Sequence, residues 1–344
     1  MAQQQMKAFG FYKKGDVAKA PLFEMVHLDR PVPKGRNLLV EVRAISVNPT
    51  DLRTRDAKKE DDESLTIVGR DSAGVVVETG DDCSLFKPGD EVFYAGTSVA
   101  PGGQSEFHLV DERLVGRKPK SVDFAQAAAL PLTSVTVFEA LFDRLNISRN
   151  AADNAGKSIL IIGAAGGVGS VAVQIAKLVG LTVIGTASRP ETIDWAQAHG
   201  ADHVLNHRES LPDQVKGLGL EGVHYIFCLT HIDDHMEAMG EIILPQGKIC
   251  SILPVQKPIN MAFFSKSVTF AYELMYTRSV FQTEDMIQQH HYLNDLADWV
   301  DESKIRSTLN EKYQPISIEN LKKAYEQLLT GRTIGKIVLE GPFE

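Results

Sequence analysis

The stretch KSILIIGAAGGVGSVAVQIAKLVG, residues 157–180, decides the fold. Ser158 to Ile162 is a short apolar run rich in isoleucine, a glycine turn comes at once, and a helical pattern then carries Val168, Val171, Ala172, Ile175, Ala176 and Val179. Strand, glycine turn, helix opens a dinucleotide-binding βαβ unit. Glycine lets the backbone turn tightly and approach a pyrophosphate, and the helix N-terminus offers free N–H groups and a positive dipole end. The register A-x-G-x-x-G falls on Ala164, Gly166 and Gly169, so the first glycine of the usual pattern is replaced. The plainer reading is an ordinary strand-to-helix turn. Against it stand the continuous strand before, the amphipathic helix ending at Gly180, and a second strand, Leu181 to Thr186, immediately after.

The residues after that second strand select the cofactor. Sites for NAD place an Asp or Glu about twenty residues on, to hold the ribose 2′-OH. This chain has Thr186-Ala187-Ser188-Arg189 instead. A hydroxyl and a guanidinium suit a 2′-phosphate, and no carboxylate repels one. The expectation is NADP(H), with Ser188 and Arg189 at the phosphate. The alternative is that Arg189 is a solvated residue before Pro190, although helix starts disfavour cations.

With 344 residues the chain suits two domains rather than one. A net charge of −9 argues against a nucleic-acid or anionic-membrane surface. Cys83, Cys228 and Cys250 are too scattered for a disulfide framework or a CxxC pair, which fits a reducing cytosol. The start, Met1 to Gln5, is polar, so no signal peptide is expected, and no run of 18 apolar residues would span a membrane.

Up to about Pro119 the chain reads as strands and turns: Lys7 to Tyr12, Asn37 to Ser46, Val68 to Thr79, Glu91 to Tyr94 after the Lys87-Pro88-Gly89-Asp90 turn, and Gly102 to Val110. This predicts a barrel-like β-body. Phe124 to Leu145 then reads as helical and rich in small residues. Strands and helices alternate from Ser158 to Leu253, which predicts a parallel, doubly wound sheet. Thr283 to Glu302 and Ile318 to Leu329 read as amphipathic helices, and Gly335 to Glu340 as a closing strand. A β-body, a nucleotide unit and a C-terminal return make a discontinuous two-domain plan, with the cofactor expected in the cleft between the two.

Several separated motifs carry a family resemblance over essentially the whole chain. They are Ala44-Ile45-Ser46-Val47-Asn48-Pro49-Thr50-Asp51, Gly69-Arg70-Asp71-Ser72-Ala73-Gly74-Val75, Phe86-Lys87-Pro88-Gly89-Asp90-Glu91-Val92, Ala129-Leu130-Pro131-Leu132-Thr133-Ser134, the glycine turn, and Gly335-Lys336-Ile337-Val338. In this order they resemble the medium-chain dehydrogenase/reductases, and more narrowly their zinc-independent quinone oxidoreductase branch. The resemblance implies an α/β chain. Residues 130–270 would form a Rossmann doubly wound parallel sheet that binds NADP(H), and residues 1–129 and 271–344 a discontinuous GroES-like β-barrel domain. It also implies a homodimer, built through an edge strand near Ser267 to Tyr276.

Zinc-dependent alcohol dehydrogenases of this family place a Cys where this chain has Asn48, and a His-Glu pair where it has Arg70-Asp71. An arginine cannot ligate zinc at neutral pH and an Asn amide is a poor ligand. No metal site is expected, and the spacing of His231 and His235 alone does not make one; His290 and His291 read as surface residues. Without a Lewis acid, simple alcohol oxidation is disfavoured. The remaining chemistry is hydride delivery from NADPH to a small electron-poor substrate, a quinone or an enone, with the cofactor carrying the hard step.

By resemblance Asn48 positions nicotinamide or substrate, and as a bare residue it also suits the turn before Pro49. Thr133 would contact the cofactor, or cap the helix after it. Gly163, Ala164, Gly166, Gly167 and Val168 form the phosphate turn. His207 stands where the family often has a Tyr against the adenosine. Leu229 and Leu253 come after sheet strands at their carboxyl ends, where ligands bind. Lys336 would approach the cofactor from the C-terminal return, or sit in an ordinary strand. Phe263, Phe264, Tyr272, Met275 and Tyr276 are candidates for an apolar substrate wall, or for core. Two other readings stay open: a zinc alcohol dehydrogenase with unrecognised ligands, and a protein that binds NADPH without turning it over.

Overall fold

The computed structural model describes residues 4–15 and 23–344; the first three residues of the polar start lie outside them. The chain divides into two compact units, Met1–Leu132 with Tyr276–Glu344, and Thr133–Met275.

In the first unit the strands are β1 (Gln5–Gly10), β2 (Glu24–Asp29), β3 (Asn37–Ser46), β4 (Asp71–Thr79), β5 (Glu91–Tyr94), β6 (Phe107–Asp111) and β7 (Val115–Arg117). The second unit holds β8 (Ser158–Ile162), β9 (Thr182–Thr186), β10 (His203–Leu205), β11 (Val223–Cys228), β12 (Ile243–Ser251) and β13 (Thr269–Tyr272). The chain then returns to the first unit with β14 (Leu309–Tyr313) and β15 (Lys336–Glu340).

β3 organises the first unit. It pairs with β4 along nearly its whole length, with β6 over Asn37 to Glu41, and with β15 over Ala44 to Ser46. Register shifts between Leu39 and Val40 and between Val42 and Ala44 bend it, as bulges do, which lets one strand serve three neighbours. Its alternating apolar residues feed two cores. Val42 and Ile45 pack with Phe9, Val68, Leu321, Tyr325 and Leu339, whereas Leu38 and Val40 pack with Val76, Val92, Tyr94 and Val115.

The second unit is a six-stranded, all-parallel sheet in the order β10-β9-β8-β11-β12-β13. Numbered from β8, that order is 3-2-1-4-5-6, the doubly wound dinucleotide-binding topology. Strands buried on both faces explain the unbroken apolar run Ser158–Ile162. Among the described residues no helix is long and apolar enough to cross a membrane.

Several expectations need correction. Phe124 to Leu145 is helical, as expected, but interrupted: Phe124–Ala128 stops before Pro131, which lacks the N–H that a continuing helix needs, and Pro131–Phe138 runs on into a π-helical stretch, Glu139–Arg144. The long C-terminal helix starts at Gln288 rather than Thr283. Asp285 is held by Arg278 at 2.7 Å and by the Thr283 hydroxyl at 2.7 Å, a local arrangement that replaces the first turn. His290 is half-buried rather than a free surface side chain, since its Nδ1 bonds the Val115 carbonyl at 2.6 Å and its Nε2 contacts Asn294, whereas His291 is exposed. The five candidates for an apolar wall differ in their surroundings, and three of them, Phe263, Met275 and Tyr276, are buried. Phe263 lies in the core of the parallel sheet, whereas Phe264 is 82% exposed and Tyr272 51%.

Candidate active site

In the parallel-sheet unit the site forms where the strand order reverses. β8 ends at Ile162, and Gly163 turns the chain at φ +94°, a left-handed value that disfavours any side chain. The turn is pinned to β9: the Gly163 N–H donates to Thr186 Oγ1 at 3.0 Å and the Ala164 N–H to the Thr186 carbonyl at 3.2 Å. Beside it stand the residues just past β11. A Cβ added to Gly163 would touch Thr230 at 3.3 Å and Leu229 at 3.6 Å.

Gly166 caps the helix Gly167–Leu178, and no side chain caps it in turn. The N–H groups of the first turn are left to a ligand. A Cβ on Gly166 would meet nothing nearer than the Gly163 carbonyl oxygen at 3.7 Å, so that side of the turn is open. On the other side the helix is pressed onto the strand: a Cβ on Gly169 would lie 2.2 Å from that same oxygen. Gly163, Gly166, Gly167 and Val168 keep partial exposure while Ala164 is buried. An open, donor-rich cradle fits a nicotinamide dinucleotide's pyrophosphate.

Ser188 and Arg189 come after β9, both half-buried. Arg189 caps the helix Pro190–Ala198 and pairs with Glu191 at 3.3 Å. His207 lies past β10 at the surface. Desolvation, then the charges of Arg208 and His231, lower its pKa. Leu229 directly succeeds β11, and Leu253 stands two residues past β12 with its N–H on Ser251 Oγ at 3.1 Å. Thr133 is buried within Pro131–Phe138. The turn residues, Ser188 to Arg189, His207, Leu229 and Leu253 therefore all sit at carboxyl ends of one sheet.

In the other unit, residues from three distant motifs converge. Asn48 ends the loop after β3 and caps the helix Pro49–Asp56, with Pro49 suited to the first helical position. It is 2% exposed. Its amide Nδ2 donates to Asp71 Oδ2 at 2.8 Å and to the Ser46 carbonyl at 3.3 Å, and its Oδ1 accepts from Lys336 Nζ. Lys336 opens β15 at 4% exposure and also donates to Asp71 Oδ2 at 2.9 Å and the Val47 carbonyl at 3.1 Å. Asp71 completes its set by accepting the Leu132 N–H at 2.7 Å. Every donor of the ammonium and every site of the amide is thus met by protein. The single signal for this cluster in the sequence is Asp71 itself, a carboxylate opening a β-branched buried strand; its partners lie 23 and 265 residues away.

Asp51 forms a second buried node. It accepts from the Asn48 N–H at 2.8 Å, the Gly69 N–H at 3.1 Å and the Tyr325 hydroxyl at 3.0 Å, and Gln104 Nε2 donates to that hydroxyl at 2.7 Å. Burial raises the Asp51 pKa, and Arg70 and these donors partly offset the rise. Tyr276 Oη lies 3.3 Å from Thr50 Oγ1, its own pKa raised by burial.

Beyond them His108 is buried. Its Nε2 faces the Pro101 carbonyl at 2.9 Å, which can only accept, so Nε2 carries the proton and Nδ1 accepts from the Tyr94 hydroxyl at 3.1 Å. Burial first, and then Arg70, push the His108 pKa down from 6.5 to about 4. The unfolded chain therefore takes this proton before the folded one does. Stability is unaffected above pH 6.5 and falls as the pH drops toward 4, by roughly 3 kcal/mol over 6.5 − 4 = 2.5 units. Urea unfolding at pH 7, 5.5 and 4.5 should show a shallower acid loss in His108→Gln than in the wild type. Equal slopes would remove His108 from the account.

Known proteins share this architecture. Residues 167–290 match the zinc-binding dehydrogenase family and residues 34–120 the alcohol dehydrogenase GroES-like domain. A zinc-type alcohol dehydrogenase-like protein of Staphylococcus epidermidis is 41% identical over 336 residues, 97% of this chain and 99% of its own. Human quinone oxidoreductase is 37% identical over 199 residues, 57% of this chain and 58% of its own. A Rhizobium etli protein assigned provisionally to the zinc-dependent alcohol dehydrogenases superposes with a TM-score of 0.93 at 46% identity, covering 99% of both chains. With its parallel Rossmann sheet and GroES-like unit, the chain belongs to the medium-chain dehydrogenase/reductase superfamily, oxidoreductases that work with a nicotinamide cofactor.

Proposed function

We propose that this protein uses NADPH to reduce quinones or α,β-unsaturated carbonyl compounds, and does so without zinc. The observation that carries the proposal is the Asn48–Asp71–Lys336 cluster. By the family resemblance, Asn48 and Arg70-Asp71 stand where zinc enzymes put Cys and His-Glu. Here an ammonium already holds the Asn48 and Asp71 oxygens that a metal would need. A divalent ion placed there would meet a fixed cation and a guanidinium. Among the described residues no three His, Cys, Asp or Glu side chains group as a metal site requires. On this reading the zinc in the names of the bacterial relatives does not carry over to this chain, and the human quinone oxidoreductase is the better guide to its chemistry.

The bound nicotinamide supplies the hydride. The chain's residues do the rest: the Gly163–Val168 turn cradles the pyrophosphate, and Ser188 with Arg189 prefers a 2′-phosphate. The three free cysteines fit a reducing cytosol. A second copy is the partner we propose for β13, an edge strand whose neighbourhood exposes Phe264, Tyr272 and Leu274.

The test combines metal analysis of the purified protein with NADPH and NADH consumption over a panel of quinones and short enones. Its solution mass should read twice 37.8 kDa. Turnover without bound metal, and a preference for NADPH, are expected. Arg189→Ala should weaken NADPH about 10- to 100-fold and leave NADH within threefold, since a charge-assisted pair contributes about 1.5–3 kcal/mol. Stoichiometric zinc whose removal stops turnover would sink the zinc-free reading. Tight NADPH binding with a flat panel would leave a binding protein.

A further inference from the structure

Resting on the preceding reading, we propose that Arg70 is a catalytic residue: its unengaged guanidinium donors hold the substrate oxygen on which negative charge collects when hydride arrives. Arg70 is 4% exposed and comes directly after Gly69, whose φ of +100° turns the chain into β4. Its Nη1 donates to two neutral carbonyls of the loop after β5, Thr97 and Ala100, the latter at 2.9 Å. Among the described residues Nε and Nη2 make no hydrogen bond, and no carboxylate pairs with the residue.

The surrounding acids are committed elsewhere. Asp71 takes Lys336, Asn48 and the Leu132 N–H; Asp51 takes two backbone N–H groups and the Tyr325 hydroxyl. His108 is neutral near pH 7, as are the hydroxyls of Tyr94 and Tyr276. Asp51 acts on Arg70 only across space, with no hydrogen bond between them; a buried guanidinium with no carboxylate on its donors is a costly arrangement, since desolvating a charge costs several kcal/mol unless a paired counter-charge returns it. A ligand that is anionic, or becomes so in the transition state, supplies that counter-charge. Two free donors on one planar fork suit a single oxyanion.

Hydride from the dihydronicotinamide forms a C–H bond at the electron-poor carbon, and the cofactor is oxidised. The carbon–carbon π pair would shift to the bond toward the carbonyl carbon and the carbonyl π pair onto its oxygen, so that the substrate is reduced to an enolate, which for a quinone gives the hydroquinone once protonated. Arg70 Nε–H and Nη2–H hydrogen-bond that oxygen. Water then delivers the proton, because an arginine stabilises the charge without protonating it. Carbonyls whose reduction leaves charge on oxygen are therefore the substrate class.

The competing role is structural, a tether for the 97–101 loop. Arg70→Gln and Arg70→Lys separate the two. Both would be tested for thermal unfolding, NADPH affinity by fluorescence, kcat and KM with 1,4-naphthoquinone and a short enone, and titration with 2-hydroxy-1,4-naphthoquinone, an anion at neutral pH. In Arg70→Gln, kcat should fall about 10²–10³-fold. NADPH affinity should hold within threefold and anion affinity should drop at least tenfold, while Arg70→Lys recovers part of both losses. Retention of kcat and anion affinity in Arg70→Gln overturns the proposal. Should that variant not fold, wild type decides: it should bind the anionic naphthoquinone at least tenfold more tightly than the neutral one, and equal affinities overturn the proposal. If the wild type turns over no panel member, the preceding reading fails, and the titration still decides whether Arg70 is an anion site.

Discussion

Lys336→Met should destabilise the protein by about 3–5 kcal/mol, the range measured when one partner of a buried ion pair is removed. Methionine fills much of the lysine's volume, so the loss reports charge rather than a cavity. It strands Asp71, wholly buried, with an amide and one backbone N–H in place of an ammonium. It also releases Asn48 Oδ1 and the Val47 carbonyl, both buried acceptors. The double variant Asp71→Leu with Lys336→Met should recover part of the loss, because it removes the stranded carboxylate, while the Leu132 N–H, Asn48 Oδ1 and the Val47 carbonyl stay without their partners. Chemical denaturation of the four proteins checks this. A Lys336→Met variant as stable as wild type would mean the ammonium is not the partner of Asp71 in solution. Added zinc should rescue neither single variant.

Gly169→Ala is the second large effect, and Gly166→Ala is its control. A methyl at 169 would stand 2.2 Å from the Gly163 oxygen and 2.7 Å from Ala164 backbone atoms. Those atoms belong to the turn proposed to hold the phosphates and cannot move independently of it. The helix must lift off, and NADPH affinity should fall at least 100-fold, together with about 1–3 kcal/mol of stability from overpacking. At 166 the same methyl has 3.7 Å of room, so folding should be untouched. It projects from the open side of the turn, however, and should still weaken NADPH. Fluorescence titration beside thermal unfolding distinguishes the two losses. Equal cofactor affinity in wild type and Gly169→Ala would refute the assignment of this turn.

The elements legible in the sequence are those whose signal is local. Asn37–Ser46 and Glu91–Tyr94 match their expected bounds, the first by alternation and the second by the turn before it. The strand, glycine turn and helix at 158–178 are legible because the glycines answer to backbone sterics within one segment. β14, Leu309–Tyr313, is not legible: three of its five residues are polar, and it owes its strand character to pairing with β15. The helix boundaries at Pro131 and Gln288 are blurred by good helix formers on both sides. The buried cluster is out of reach for another reason. Asn48, Asp71 and Lys336 carry no local pattern that joins them. The vacancy of the Arg70 fork depends on which carboxylates are already taken, which only the assembled structure reveals.

β15 lies beside β3, yet Lys336 is made only after the whole second unit. During synthesis the parallel-sheet unit is contiguous and can close as soon as residue 275 is free. The unit that contains β3 cannot. On the ribosome its Asp71 waits without a counter-ion, and the edge of β3 at Ala44 to Ser46 stays bare, until β15 has emerged. The half made first is the half finished last.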